Sequence, residues 1–118
     1  MENMYMMEAF GKKFVVEFDY HYVYTSSGKD DRRITTCSII ELEGKSIYSG
    51  ASMKHPKDSF STWTARRWAF KRAVMYIYLV WTLMKRTSIG FNYFWQTFRK
   101  GLAQNELYIK DRKEEKNG

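Results

Sequence analysis

Every second residue from Phe14 to Tyr24 is apolar or aromatic, and this alternation constrains the fold more than any other feature of the sequence. A period of two places these side chains on one face of a β-strand, with polar residues such as Glu17 and Asp19 on the other face. A strand face that is this apolar must be buried against another layer of the protein. The segment therefore predicts a sheet that is covered on one side.

Two more strands are predicted after this one. Residues 34–42 are rich in β-branched side chains, and Glu43-Gly44 is a tight-turn signal. Residues 45–53 form a third, weaker candidate because Gly50 interrupts the pattern. We expect an antiparallel β-meander over about residues 12–53.

The covering layer is predicted to be helical. No Gly or Pro occurs from residue 61 to residue 85, which favours a long first helix. A second helix is expected to be capped by Thr87 or Ser88 and to run to about Lys100, where Gly101 would stop it. Its apolar stripe recurs at helical spacing: Phe91, Phe94, Trp95, Phe98 and Leu102.

These elements fit a single domain. A chain of 118 residues supports one hydrophobic core, so we expect an α+β fold in which a small antiparallel β-meander precedes two α-helices, the helix pair spanning about residues 59–101 and a tail spanning residues 105–118. Residues 73–84 carry no charge, and twelve residues are too few to cross a bilayer. A helix that is apolar all round needs more cover than one small sheet and one helix give. We therefore expect a homo-oligomer. The alternative is that the sheet alone buries residues 73–84, without a partner copy.

Residue usage argues against an enzyme and against a metal or cofactor. The single cysteine, Cys37, and two distant histidines, His21 and His55, match no nucleophile or metal motif. The glycines follow no phosphate-loop spacing. The first ten residues lack the basic start and long apolar run of a signal peptide. We expect a cytoplasmic, non-catalytic protein that needs no cofactor.

Positive charge is concentrated in the predicted helices. Residues 54–100 hold ten Lys or Arg and one Asp, a net charge of +9, whereas residues 1–53 carry −2 and residues 101–118 are neutral. Such a block attracts phosphorylated ligands, nucleic acid or acidic lipid. A solvated face without any ligand is the simpler alternative.

Cations, aromatic rings and amides occur together on the two helices. Arginine binds phosphate in a bidentate manner, rings stack on bases, and Asn or Gln can read a base edge or a ribose hydroxyl. This combination suits a nucleotide-like anion, and two other uses remain open: a basic nucleic-acid-binding regulator or inhibitor, and a peripheral membrane protein. The residues are Trp63, Arg66, Arg67, Phe70 and Lys71 on the first helix and Asn92, Gln96, Arg99 and Lys100 on the second.

Three segments carry a family resemblance. A strand ending in Ser49-Gly50, a His-Pro-x-Asp-x-Phe connector over residues 55–60, and spaced Arg and Ala over residues 66–73 resemble phage Thoeris anti-defence proteins of the first described type. The resemblance implies a sheet followed by two helices, assembly into dimers or larger oligomers, and capture without cleavage of a cyclic ADP-ribose isomer made by a TIR enzyme. It also implies that cyclic oligonucleotides can bind at a separate site. The expected setting is the cytoplasm of the infected bacterium.

The resemblance also suggests ligand-binding residues. Asn92 is the one position carried over from the family, and Phe70 is the aromatic chosen to stack on adenine. A pyrophosphate would then lie among Arg66, Arg99 and Arg112, the last supplied by the tail of a neighbouring copy. Closure by that copy would exclude water and strengthen each charge-assisted contact.

Overall fold

The computed structural model describes residues 4–25, 28–53 and 62–104, and the side chains among them except 23–25, 28–32 and 62–63. The predicted α+β class, with antiparallel strands followed by two helices, is confirmed. The sheet has four strands in the order β1-β2-β3-β4, each antiparallel to its neighbour. The elements are β1 (Met4–Ala9), β2 (Lys12–Thr25), β3 (Gly28–Glu41), β4 (Ile47–Met53), α1 (Thr62–Leu83) and α2 (Phe91–Ala103).

The expectation that the sheet begins near residue 12 is wrong, because β1 precedes it. This strand pairs with β2 so that Tyr5 lies opposite Val16, and its residues are alternately exposed and buried. The sequence of β1 does not show this alternation clearly, because methionine occurs on both the exposed and the buried face. A two-residue turn at Phe10 and Gly11, both with positive φ, connects the strands as in a type I′ hairpin.

One face of the sheet forms the core with the two helices, as the aromatic alternation predicted. Phe14, Val16 and Phe18 of β2 are fully buried, α1 lies against β3 and β4, and α2 lies against β1. The helices thus cover inward-facing side chains of all four strands, but the cover ends before Tyr22 of β2, which is 52 % exposed. Neither helix nor any other described element lies on the opposite face, and several of its large apolar side chains are exposed.

The uncharged stretch of α1 has two unlike sides. Ala73, Val74, Ile77 and Trp81 are buried against the sheet and α2. Burial beneath the sheet therefore accounts for one side of the stretch. On the other side, large apolar side chains are exposed in the single chain: Met75, Tyr76, Leu79 and Leu83.

Gly50 does not interrupt β4, contrary to expectation, although at seven residues the strand is half as long as β2 or β3. The strand continues through it and pairs with Cys37 of β3. A Cβ at position 50 would lie 2.5 Å from the backbone oxygen of Ala69 and 2.8 Å from the carbonyl carbon of Arg72. Glycine is present here because α1 crosses β4 in backbone contact.

The predicted limits of the second helix are wrong at both ends. The helix begins after Gly90, without a side-chain cap, whereas Thr87 uses its hydroxyl to accept a hydrogen bond from the Ile89 amide at 3.4 Å. At the other end, the helix runs through Gly101 to Ala103. A Cβ at Gly101 would lie 2.5 Å from the carbonyl oxygen of Glu8, so this glycine serves close packing and not termination.

Candidate functional site

Arg66 lies in the core and not on an open basic surface. Arg66 is 0 % exposed. Its Nη1 donates to the hydroxyl of Tyr5 at 2.8 Å, and its Nε donates to the hydroxyl of Tyr20. The guanidinium also lies over the ring of Phe18, with 5.2 Å between its carbon and the ring centroid. Arg66 thus ties α1 to β1 and β2, and a ligand could reach it only if these elements separated.

Phe70, the residue chosen to stack on a base, is also internal. It is 2 % exposed, and its ring centroid lies 5.7 Å from that of Trp95. The ring joins α1 to α2 within the core. Next to it, Lys71 places its ammonium 5.6 Å from the ring centroids of both Trp68, which is exposed, and Trp95, which is buried.

Asn92 and Arg99 are exposed on α2, as the predicted role requires. They are seven residues apart, which places them on one side of the helix about 10 Å from each other along the axis. Gln96, between them, is exposed as well. Arg112, the third predicted phosphate ligand, lies outside the described residues.

A cavity that the sequence did not reveal opens at the connection between the two helices. It is open to solvent, has a volume of about 460 Å³, and combines two cations, three hydroxyls and two apolar side chains. The only available signal was the run Lys85-Arg86-Thr87-Ser88 between two apolar helices. We call it the loop cavity, and its lining residues are Phe10, Thr82, Lys85, Arg86, Thr87, Ser88 and Ile89.

The cation of the loop cavity nearest the core is held in place by a buried carboxylate. Arg86 donates from Nη2 to Oε1 of Glu41 at 2.9 Å, and its guanidinium carbon lies 4.2 Å from the centroid of the Trp81 ring. The Lys12 ammonium lies 3.5 Å from the same carboxylate oxygen. Arg86 and Lys12 thus share one carboxylate, and Lys85 adds a further cation to the lining of the cavity, so positive charge is in excess there.

The pKa values of this pair follow from the contact. Burial by itself raises the pKa of the Glu41 carboxyl, but the hydrogen bond from Arg86 and the charges of Arg86 and Lys12 outweigh it, so the pKa is lowered. The hydrogen bond to Glu41 raises the pKa of Arg86, against the effect of burial. Both groups are charged at neutral pH, and Arg86 is oriented by the protein itself.

Phe10 forms the aromatic wall of the loop cavity. Its φ of 54° is rare for a bulky residue, and the backbone accepts this cost at a hairpin turn. The ring stacks on Phe94 with 5.1 Å between centroids and an angle of 25° between planes, yet the residue remains 38 % exposed. A ligand ring could therefore reach Phe10 without displacing the core.

Other chemistry has little support in the described part of the chain. The thiol of Cys37 is buried, and burial raises its pKa well above the usual value, so it stays protonated. Within residues 4–25, 28–53 and 62–104, no three His, Cys, Asp or Glu side chains come together as metal ligands. Among the same residues, no helix has the length and apolar character needed to cross a bilayer.

Comparison with known proteins gives no relative. No protein family, no curated protein and no solved structure matches the chain.

Proposed function

We propose that this protein binds a small phosphorylated ligand of the cyclic nucleotide type and holds it without cleaving it. The observation that carries the proposal is the loop cavity, where Lys85, Arg86 and the hydroxyls of Thr87 and Ser88 adjoin an accessible ring. A nucleotide presents the complementary groups, a dianionic pyrophosphate and a flat base. In this proposal the cations and hydroxyls hold the phosphates and Phe10 stacks on the base.

The predicted residues of α2 extend this site. Asn92 lies in the first turn of α2, four residues after Ser88 of the cavity. From there its amide could bind a base edge or a ribose hydroxyl, with Arg99 further along the same side. Arg66 and Phe70 take a different part: they fix α1 on the sheet and α2 on α1, and thereby position the connection between the helices.

The biological setting is proposed from the family resemblance. A protein of this kind would remove a cyclic ADP-ribose isomer from solution in the infected bacterium and so block TIR-dependent immunity. Copies would assemble through the exposed side of α1, which would confine the ligand. Sequestration must outcompete a cellular receptor, so we expect nanomolar affinity, about −12 kcal/mol.

The proposal is tested by calorimetry with cyclic ADP-ribose as the probe. We expect stoichiometric binding, weakened at least tenfold by Lys85→Ala, because a charge-assisted hydrogen bond contributes about 1.5–3 kcal/mol. Lys45→Ala, which removes an exposed lysine in the β3–β4 turn, is the control and should bind as the wild type does. Equal binding by the Lys85→Ala and wild-type proteins would remove the loop cavity from consideration.

Native mass spectrometry of protein co-expressed with a signalling TIR enzyme tests retention. An adduct of nucleotide mass that heat releases intact supports sequestration, whereas a cleaved product would identify an enzyme. The alternative, a nucleic-acid-binding regulator, predicts tight binding of oligonucleotides whose affinity falls steeply with salt. That result, with no retained nucleotide, would replace the proposal.

A further inference from the structure

The face of the sheet that no described residue outside the strands covers, called the uncovered face, carries one continuous apolar row. The strand registers place Met6 opposite Val15, Val15 opposite Ile40, and Ile40 opposite Ile47. These four side chains point away from the helices, since their neighbours along each strand are the buried ones. We call them the sheet row.

The sheet row is accessible at both ends. Met6 is 56 % exposed and Ile47 is 62 % exposed, while Val15 and Ile40 between them are partly covered by their neighbours. Three more large apolar side chains of the strands and the β3–β4 turn are exposed: Met4, Leu42 and Met53. Exposed apolar side chains that are grouped on one face are typical of an interaction site.

Opposite charges flank the sheet row on its central strand. Lys13 and Glu17 lie two residues to either side of Val15 on β2, at about 7 Å each. A two-fold axis that runs across the strands, directly above the sheet row, exchanges these two positions. Two identical sheets placed face to face about that axis would bring each Lys13 opposite the Glu17 of the other copy.

We propose that a second copy of this chain packs on the uncovered face, with the sheet rows in contact and two reciprocal Lys13–Glu17 ion pairs at their sides. The exchange of Lys13 and Glu17 favours a second copy over an unrelated partner, because a two-fold interface requires a self-complementary patch. The charge match is confined to β2, since on β1 the same axis places Glu8 opposite Met4 of the other copy. This surface is separate from the α1 side that the proposed function uses for assembly. Association through the uncovered face requires no bound ligand.

The size of the face fits a reversible dimer. Four strands about 4.8 Å apart and seven residues long, at about 3.4 Å per residue, cover about 19 by 24 Å. This footprint, about 460 Å² per copy, is smaller than the roughly 800 Å² that each partner loses in an interface of standard size, and small interfaces are typical of weak, transient association. We therefore expect a dissociation constant on the order of micromolar.

Sedimentation equilibrium over a concentration series tests the surface and its register. Ile47→Lys should weaken this association at least a hundredfold, and Lys13→Glu and Glu17→Lys should each weaken it about tenfold. The double variant K13E/E17K restores the opposite charges across the axis, so its dissociation constant should return to within about threefold of wild type. Arg67→Glu makes the same charge change on α1 and should have no effect, and circular dichroism verifies that every variant is folded.

Three results would overturn the proposal. One is a wild-type protein that stays a single chain at hundreds of micromolar. Another is association that Leu79→Lys on α1 abolishes but Ile47→Lys leaves intact, which would place the whole interface on the helix. The third is a K13E/E17K double variant whose self-association is weakened as much as the two single variants combined, because restoring opposite charges then gives no rescue.

Discussion

Gly50 lies so close to Ala73 that a Cβ on residue 50 would be 2.3 Å from the backbone nitrogen of residue 73. Backbone cannot move aside as a flexible side chain can, so any larger residue must push α1 off β4. We expect Gly50→Ala to lower the free energy of unfolding by about 3 kcal/mol or more, as overpacking in a core does. Urea denaturation followed by circular dichroism measures the loss.

Gly90 provides the matched control for this substitution. It precedes α2 with a φ of −70°, and apart from its chain neighbours no atom of the described residues lies within 4 Å of a Cβ placed there. Gly90→Ala should change the free energy of unfolding by less than about 1 kcal/mol, because the conformation suits alanine and the space is open. Equal losses at positions 50 and 90 would mean that α1 does not cross β4 in backbone contact.

Arg66 is predicted to stabilise the fold. Arg66→Ala would leave the hydroxyls of Tyr5 and Tyr20 without this donor and would open a large cavity beneath α1. We expect a loss of about 3 kcal/mol or more in the free energy of unfolding. Arg67→Ala, at the exposed neighbouring position, should change it by less than about 0.5 kcal/mol. If instead Arg66→Ala melts like wild type and loses only ligand, Arg66 is a binding residue.

The fold was largely readable from the sequence because local patterns decide most of it. The alternation in β2 predicted a covered face, and the absence of Gly and Pro predicted α1. What the sequence could not give was tertiary proximity. Gly50 and Gly101 look like a strand interruption and a helix stop, yet each is explained by a backbone that lies against it.

The candidate site was less predictable for a related reason. The sequence shows which residues are cationic, but it does not show whether a cation is exposed or is buried and hydrogen-bonded within the fold. Arg66 is enclosed by tyrosines that are 46 and 61 residues away in sequence, and nothing in the local pattern distinguishes it from exposed Arg67. The loop cavity arises only when the β1–β2 turn brings Phe10 to the connection between the helices, and the methionine-rich pattern of β1 does not predict that strand.

Glu41 should make stability depend on pH in the acid range. Its pKa is lower in the folded protein than in the unfolded chain, where the pKa of a glutamate is about 4.3. The stabilisation is therefore fully present above that unfolded value and is lost as the pH falls through the lower folded value. We expect Glu41→Gln to lose about 1–3 kcal/mol at pH 7 and to show a flatter decline below about pH 4.5 than wild type. Thermal melts from pH 2 to pH 7 measure both effects.

Glu43 is the control for this pH dependence. It lies two residues further along, in the β3–β4 turn, and it is exposed. Glu43→Gln should follow the wild-type curve at every pH. Parallel curves for wild type and Glu41→Gln would show that the contacts from Arg86 and Lys12 contribute no net stability.

Phe10 separates ligand binding from folding. Phe10→Gly relieves a positive φ but removes a ring that packs on Phe94, Trp81 and Phe98. The relief, about 1 kcal/mol, offsets part of the lost packing of a ring that is already partly exposed, so we expect a net loss below about 2 kcal/mol. Binding of cyclic ADP-ribose should weaken at least tenfold, since stacking on a base contributes about 1–3 kcal/mol.

The matched control for Phe10 is Tyr76, an aromatic residue on α1 that is 51 % exposed and does not line the loop cavity. Tyr76→Ala should bind cyclic ADP-ribose as tightly as wild type at a protein concentration where the two have the same oligomeric state. Calorimetry gives the affinities, and thermal melts show that each variant is folded at the temperature of the titration. If Phe10→Gly retains full affinity while folded, the ring is only a packing element of the hairpin, and a base must stack elsewhere.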